Sequence, residues 1–135
     1  MQIAGIDLYV NHPVLAIGST EWIPTTLALN NEPAAACDTH LIVRVQAQTV
    51  LVKVRIFQDH DDSNGQGRDM EGLSMVFDGR LLLSDGRLVV GDVVGESRFT
   101  TSLLGMPGRR RVRVSVDDAQ GWARAVDIVI SAETM

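Results

Sequence analysis

The stretch VLVKVRIF, residues 50–57, decides the fold class because apolar and charged side chains alternate along it with a period of two. Lys53 and Arg55 fall on one face of such a segment. The β-branched residues of the opposite face are Val50, Val52, Val54 and Ile56. Successive side chains of an extended chain point to opposite sides, so this pattern predicts a strand with one face in the core and one in solvent.

Two further stretches repeat the alternation. HLIVRVQAQ, residues 40–48, places apolar residues at every second position, and so does RRRVRVSVDD, residues 109–118. In the second stretch Val112, Val114 and Val116 alternate with Arg111 and Arg113. No segment shows a helical stripe of comparable length, so the chain is predicted to be built from strands with little helix.

Turn signals between the apolar stretches predict how the strands are connected. The segment FDGRLLLSDGRLVVGD, residues 77–92, contains Asp-Gly-Arg at 78–80 and again at 85–87. Asp-Gly favours two-residue hairpin turns, so the segment predicts a tight meander of short strands. DDAQGW, residues 117–122, predicts another turn. About seven or eight short strands result, and the expected fold is all-β, a single-domain antiparallel β-sandwich with short hairpins over residues 1–135.

The composition predicts a cytoplasmic protein. The chain has 135 residues, 45% of them hydrophobic and 21% charged, with a net charge of -5 that disfavours general nucleic-acid binding. Cys37 is the single cysteine, which excludes an internal disulfide and fits a reducing compartment. The first 19 residues lack the basic region and long apolar run of a secretory signal, and no stretch is apolar enough for a membrane span.

The acidic stretch QDHDDSNGQGRDMEG, residues 58–72, allows three interpretations. Asp59, Asp61 and Ser63 alternate like the start of a calcium loop, but Asn64 stands where an EF-hand needs glycine and Met70 where it needs glutamate. A solvated hairpin loop is the favoured interpretation, a partner-binding loop is the second, and a calcium site of another kind is the third.

The sequence gives little support to an enzymatic function. The histidines His12, His40 and His60 lack the spacing of a metal site. Cys37 lies close to His40 along the chain, yet a buried thiol beside a loop histidine explains this more simply than a nucleophile and its base. No phosphate-binding, dinucleotide-binding or nucleophile-elbow motif occurs, so no catalytic residue, metal or cofactor is predicted.

Basic residues gather on the predicted strands, and Arg109, Arg111 and Arg113 would form one row on an extended strand. The simpler explanation is a solvated outer face whose arginines pair with acids of neighbouring strands. The alternative is a basic stripe beside acidic loops, which would form a polarised surface for a charged protein partner.

Two segments near the C-terminus resemble a known family. FDGRLLLSDGRLVVGDVVGES, residues 77–97, and LLGMPGRRRVRVSVDDAQGWARAVDIVIS, residues 103–131, are similar to the competence protein J family of inhibitors of the DNA-entry nuclease. The likeness rests on a glycine-rich meander, the GRLVVGD turn and a Val-Arg-Val strand preceded by Pro-Gly, and covers roughly residues 72–130. It implies a bacterial nuclease inhibitor and supplies no binding residues.

The sequence therefore predicts a non-enzymatic protein-binding module, most specifically a nuclease inhibitor or immunity-type protein. Its partner would be a basic protein such as a nuclease, whose substrate groove carboxylates could occupy in place of phosphates. The alternative is a small-ligand or calcium-binding β-sandwich with the 59–71 loop as its site. The predicted partner-binding residues are Asp59, Asp61, Asp62, Asp69, Glu71, Arg109, Arg111 and Arg113.

Overall fold

Ten strands and no helix form the described part of the chain. The computed structural model describes residues 2–10, 12–20, 23–24, 27–46, 51–59, 72–92, 97–103, 107–120 and 123–131. The strands are β1 (Gln2–Tyr9), β2 (Val14–Gly18), β3 (Ala34–Ala36), β4 (His40–Arg44), β5 (Leu51–Asp59), β6 (Ser74–Leu83), β7 (Arg87–Asp92), β8 (Arg98–Ser102), β9 (Gly108–Val116) and β10 (Ala125–Ser131).

The strands form two five-stranded sheets that pack face to face. Sheet A has the order β1-β5-β10-β9-β6, and sheet B has the order β3-β4-β2-β7-β8. All pairs among the described strands are antiparallel except β5 and β10, which run parallel. At the edges β1 approaches β8, and β6 approaches β3. The predicted all-β sandwich is confirmed, with one parallel pair that the sequence pattern did not indicate.

The core lies between the two sheets and follows the predicted alternation. Val54, Ile56 and Ile128 point inward from sheet A, and Leu15 and Leu41 point inward from sheet B, all with no exposed surface. Aromatic residues are only 4% of the chain, so valine, leucine and isoleucine fill the layer. Each such side chain contributes about 1.5–3 kcal/mol when fully buried, which makes this layer the main stabilising feature of the fold.

The first Asp-Gly-Arg segment is not a turn, contrary to the sequence prediction. Asp78, Gly79 and Arg80 lie within β6 and pair with β9. The Phe77 ring lies across Gly79 so closely that a Cβ atom at Gly79 would be 2.7 Å from a ring carbon. The glycine therefore provides room for an aromatic side chain and does not supply a hairpin conformation.

The second Asp-Gly segment does turn the chain, but it joins the two sheets. Gly86 has a φ of 66° and its amide donates a hydrogen bond to the Leu83 carbonyl at 3.1 Å. The turn leads from β6 in sheet A to β7 in sheet B, so the predicted meander is wrong. The prediction for DDAQGW is confirmed, because β9 and β10 on either side of it are antiparallel neighbours, with Val116 opposite Val126.

The acidic stretch does not join two hairpin strands. Asp59 ends β5 and Ser74 begins β6, but β10 and β9 lie between these two strands in sheet A. The hairpin interpretation of this stretch is therefore wrong. Residues 60–71 lie outside the described residues.

Gly91 allows the β7–β8 pair to close tightly. A Cβ atom at this position would lie 2.3 Å from the Ser97 carbonyl oxygen and 2.8 Å from the Arg98 Cα atom. Both neighbours are backbone atoms and cannot rotate away. The Asp92 amide donates a hydrogen bond to the same Ser97 carbonyl at 2.9 Å, which fixes this approach.

We expect Gly91→Ala to lower the free energy of unfolding by about 1–3 kcal/mol, since overpacking against backbone forces the strands apart. Gly5→Ala is the matched control, because the Gly5 Cβ would meet only the flexible Gln2 side chain closer than 3.4 Å. Urea denaturation monitored by tryptophan fluorescence measures both. Equal effects of the two substitutions would contradict the conclusion that Gly91 is needed for the close approach of β7 and β8.

Candidate partner interface

The outer face of sheet A brings charged side chains of four strands together. Arg109, Arg111 and Arg113 occupy alternate positions of β9 and point away from the core, because Val112 and Val114 between them are buried inside it. The three arginines thus form the predicted row. What their guanidinium groups contact determines whether the row is a free basic stripe.

Two of these arginines are held by carboxylates. Arg111 donates two hydrogen bonds to Asp78 on the neighbouring strand β6, at 2.9 and 2.8 Å. Arg109 donates two to Asp38, at 2.7 and 3.3 Å. Asp38 lies between β3 and β4, so this second pair links the two sheets at one edge, where the Leu82 amide also donates to the Asp38 carbonyl at 2.8 Å. The pairing expected from the simpler explanation is present.

Arg113 is buried and is not part of an exposed stripe. Only 6% of its surface is accessible, and it lies directly opposite Asp78 in the β6–β9 register. The hydrogen bonds from Arg111 are the largest cause that lowers the pKa of Asp78, and the charges of Arg111, Arg113 and Arg80 lower it further. Arg113 therefore acts within the protein, as a neighbour of the Arg111–Asp78 pair.

A third pair, between Arg55 and Asp127, was not expected from the sequence. Arg55 donates to both carboxylate oxygens of Asp127, at 2.8 and 2.7 Å, across the parallel β5–β10 ladder. The Asp127 side chain is 2% exposed, and the Arg55 guanidinium carbon lies 5.6 Å from the centre of the Phe57 ring. The signal in the sequence is the single acid within AVDIVIS, since an acid in a buried strand needs a partner.

Arg110 faces the opposite way from its neighbours in the arginine run. It is 1% exposed and donates a hydrogen bond to the Ser131 carbonyl at 2.9 Å. Burial lowers the pKa of Arg110. The run Arg109–Arg111 thus contributes two arginines to the outer face and one to the end of the core.

Of the acidic residues predicted to bind a partner, only Asp59 lies within the described part of the chain. Asp59 is the last residue of β5 and pairs with Ser131 of β10. Ile130 pairs with Val112, so the end of β5 lies at the same end of sheet A as Arg111, two strands or roughly 10 Å away. Asp61, Asp62, Asp69 and Glu71 lie outside the described residues, and their role stays a prediction.

Cys37 and His40, which are close in sequence, each contact neighbouring threonines. His40 is 4% exposed; its Nδ1 lies 2.7 Å from the Thr39 hydroxyl, and its Nε2 donates to the Thr20 carbonyl at 3.0 Å. The Cys37 sulfur lies 3.9 Å from the same Thr39 hydroxyl. Among the described residues, no three histidine, cysteine, aspartate or glutamate side chains are placed to hold a metal ion. No helix long and apolar enough to cross a membrane occurs in this part of the chain.

The comparison with known proteins supports the fold. No protein-family model and no curated protein sequence matches this chain. Its structure is similar to the crystal structure of ComJ, the inhibitor of the DNA degrading activity of NucA, from Bacillus subtilis. The TM-score is 0.69, the sequence identity is 11%, and the match covers 98% of each chain. The resemblance predicted from residues 72–130 is confirmed as a likeness in fold, and it extends over nearly the whole chain.

We expect the interaction between Asp78 and Arg111 to disappear in acid. The pKa of Asp78 is lowered in the folded protein from its ordinary value of 3.8, so near this pH the unfolded chain binds more protons than the folded one. The contribution of the pair is present above about pH 4 and is lost as the pH falls through the lowered pKa. Because both side chains are at least 30% exposed, it should stay below about 1 kcal/mol.

A double-mutant cycle with Asp78→Asn and Arg111→Gln measures this coupling, using urea denaturation at pH 7 and in steps below pH 4. The two single substitutions and the double substitution act as one another's controls. A coupling energy that keeps its neutral-pH size in acid would show that the pair is not ionic.

Proposed function

We propose that this protein is a non-enzymatic inhibitor that binds a nuclease and blocks its action on DNA. The observation that carries the proposal is the similarity in fold to ComJ over 98% of both chains, since ComJ inhibits the DNA degrading activity of NucA. The acidic balance of the chain, with a net charge of -5, is compatible with a basic partner. The single cysteine is compatible with a cytoplasmic location.

The carboxylates best suited to approach a basic groove are those of residues 59–71. Asp38 and Asp78 are each neutralised by a bidentate arginine and present little net charge to a partner. The stretch 59–71 has five acids and one arginine, a formal charge of five negative less one positive, or -4. Most of the net charge of the chain thus lies in one short segment. We assign the electrostatic contact to Asp59, Asp61, Asp62, Asp69 and Glu71.

Arg109 and Arg111 are suited to the polar rim of the same interface. Their side chains are 40% and 30% exposed, and Arg111 lies at the end of sheet A where β5 stops at Asp59. Rim residues of protein interfaces are polar and stay partly hydrated, which fits these exposed ion pairs. Arg113 contributes to this rim only indirectly, through its position beside Asp78.

Stoichiometric inhibition tests the function directly. Degradation of a fluorescently labelled double-stranded DNA by the nuclease that co-purifies with this protein should stop when the two are present at about one to one. The protein alone should leave the DNA intact. A nuclease that keeps its full rate in an excess of this protein, or cleavage of DNA by the protein itself, would refute the proposal.

We expect the triple substitution Asp61→Asn, Asp62→Asn and Asp69→Asn to slow association with the nuclease in low salt and to leave the melting temperature nearly unchanged. Long-range attraction acts mainly on the association rate, and at physiological ionic strength it is screened over about 8 Å. Stopped-flow measurements at a series of salt concentrations measure the rate.

The matched control for the triple substitution removes the same amount of charge elsewhere. Asp7→Asn, Glu32→Gln and Asp85→Asn change three exposed acids outside the stretch 59–71. A local role for the stretch requires that only the first variant associate slowly. Equal slowing in both variants would show an effect of net charge alone, and a wild-type rate in the first variant would exclude the acidic stretch from the interface.

Calcium titration separates inhibition from the alternative function as a calcium-binding protein. Isothermal calorimetry of the wild-type protein should show no saturable binding below about 1 mM, the weak limit for extracellular calcium modules. Micromolar binding that is lost in the double variant Asp59→Asn, Asp61→Asn would favour the calcium site.

A further inference from the structure

The outer face of sheet B carries an apolar pocket of about 430 Å³. Val14 of β2 and Ile42 of β4 form its floor. Residues 23–24 and 27–29, which follow β2 in the chain, form its wall; they are Ile23, Pro24, Leu27, Ala28 and Leu29. Pockets that bind small molecules span about 300–1,000 Å³ and are lined mainly by apolar side chains, so both the size and the lining fall in that range.

The chain that forms the wall is tied to sheet B on both sides of the pocket. Before the wall, the Ser19 amide donates to the Thr39 carbonyl at 3.3 Å and the His40 Nε2 donates to the Thr20 carbonyl at 3.0 Å. After it, the Arg44 amide donates to the Pro33 carbonyl at 2.9 Å. Ala16 and Ile42, on the outer side of the sheet, are therefore 7% and 4% exposed. Both ends of the segment that contributes the wall are thus held to sheet B.

One cationic side chain stands beside this apolar floor. Arg44 lies directly opposite Val14 in the β2–β4 register, and it points to the same side of β4 as Ile42, two residues earlier. In the described part of the structure its guanidinium makes no hydrogen bond or ion pair. Glu32, the acid before Pro33 in the described part of this segment, is exposed. An apolar pocket with an arginine next to its floor in the β2–β4 register suits a ligand that is apolar along its length and anionic at one end.

We infer that this pocket binds a small amphipathic carboxylate, of the size of a medium-chain fatty acid. The alkyl tail lies between the floor and the wall, where it is removed from water. The carboxylate lies at Arg44, whose planar guanidinium can donate two parallel hydrogen bonds to it. This assignment is independent of nuclease inhibition, because it rests on the outer face of sheet B and not on sheet A.

Decanoate and the uncharged decanol are the probes that separate the two parts of the site. Titration of each into the isotopically labelled protein, below micelle-forming concentrations, should shift the methyl signals of Val14, Leu27 and Ile42. Arg44→Gln should weaken decanoate binding about fivefold to tenfold and leave decanol binding unchanged, since only decanoate has a charged group for the arginine. Arg124→Gln, an exposed arginine outside the pocket, is the matched control and should change neither affinity.

A second variant tests the pocket without touching a buried residue. Ala28 lines the pocket and is exposed, so Ala28→Trp should fill the space, abolish binding of both probes and preserve the melting temperature. The inference is overturned if decanoate fails to bind at about 1 mM, as it would if the occupant were an apolar side chain of a protein partner. It is also overturned if Arg44→Gln weakens both probes equally, or if Ala28→Trp leaves binding intact.

Discussion

The bidentate pair of Arg55 and Asp127 fixes the register on which sheet A depends. It spans the parallel β5–β10 ladder, where the two residues are direct partners. This ladder is the junction between the first two strands of sheet A, β1 and β5, and the three later ones, β10, β9 and β6. A slip by one residue would turn Asp127 toward the core and Ile128 away from it, at the cost of an uncompensated buried charge. The main effect of the pair is therefore to exclude the neighbouring registers, and its contribution to the stability of the fold is secondary.

The junction strand β10 is buried on both faces, in contrast to its parallel neighbour β5, in which Leu51 and Lys53 are exposed. Ile128 and Ile130 face the core with no exposed surface, while Asp127 and Val129 on the outer side are each 2% exposed. Sheet B has a corresponding single junction, where β2 from the first half of the chain pairs with β7 from the second. Each half thus contributes strands to both sheets, and neither half holds a complete sheet alone. Stability must arise from the assembly of the two halves.

Local patterns in the sequence were sufficient to predict the strands and the core. They were not sufficient to predict which strands lie next to one another in the sheets. The alternation in residues 50–57 and 109–118 predicts which side chains are buried, because burial depends on the period of two along one strand. Strand order depends on contacts between distant residues, so neither the parallel pair nor the sheet-to-sheet turn at Gly86 could be found this way. The first Asp-Gly pair was wrongly predicted to be a turn, because the glycine at position 79 leaves room for the Phe77 ring. For the candidate interface, alternation predicts the row of arginines but not that Arg113 would be buried.

The two outer faces of the sandwich differ in chemistry, and this difference separates the two proposed activities. The outer face of sheet A carries the ion pairs Arg55–Asp127 and Arg111–Asp78. The outer face of sheet B instead carries apolar residues beneath the wall formed by residues 23–24 and 27–29. Packed sheets lie about 10 Å apart, so groups on opposite outer faces are separated by the full thickness of both layers and the core. Charges on sheet A and the arginine on sheet B are then farther apart than the screening length at physiological salt. A ligand at Arg44 can influence a partner at sheet A only if it moves the strands between them, and the close-packed valine, leucine and isoleucine core opposes such movement.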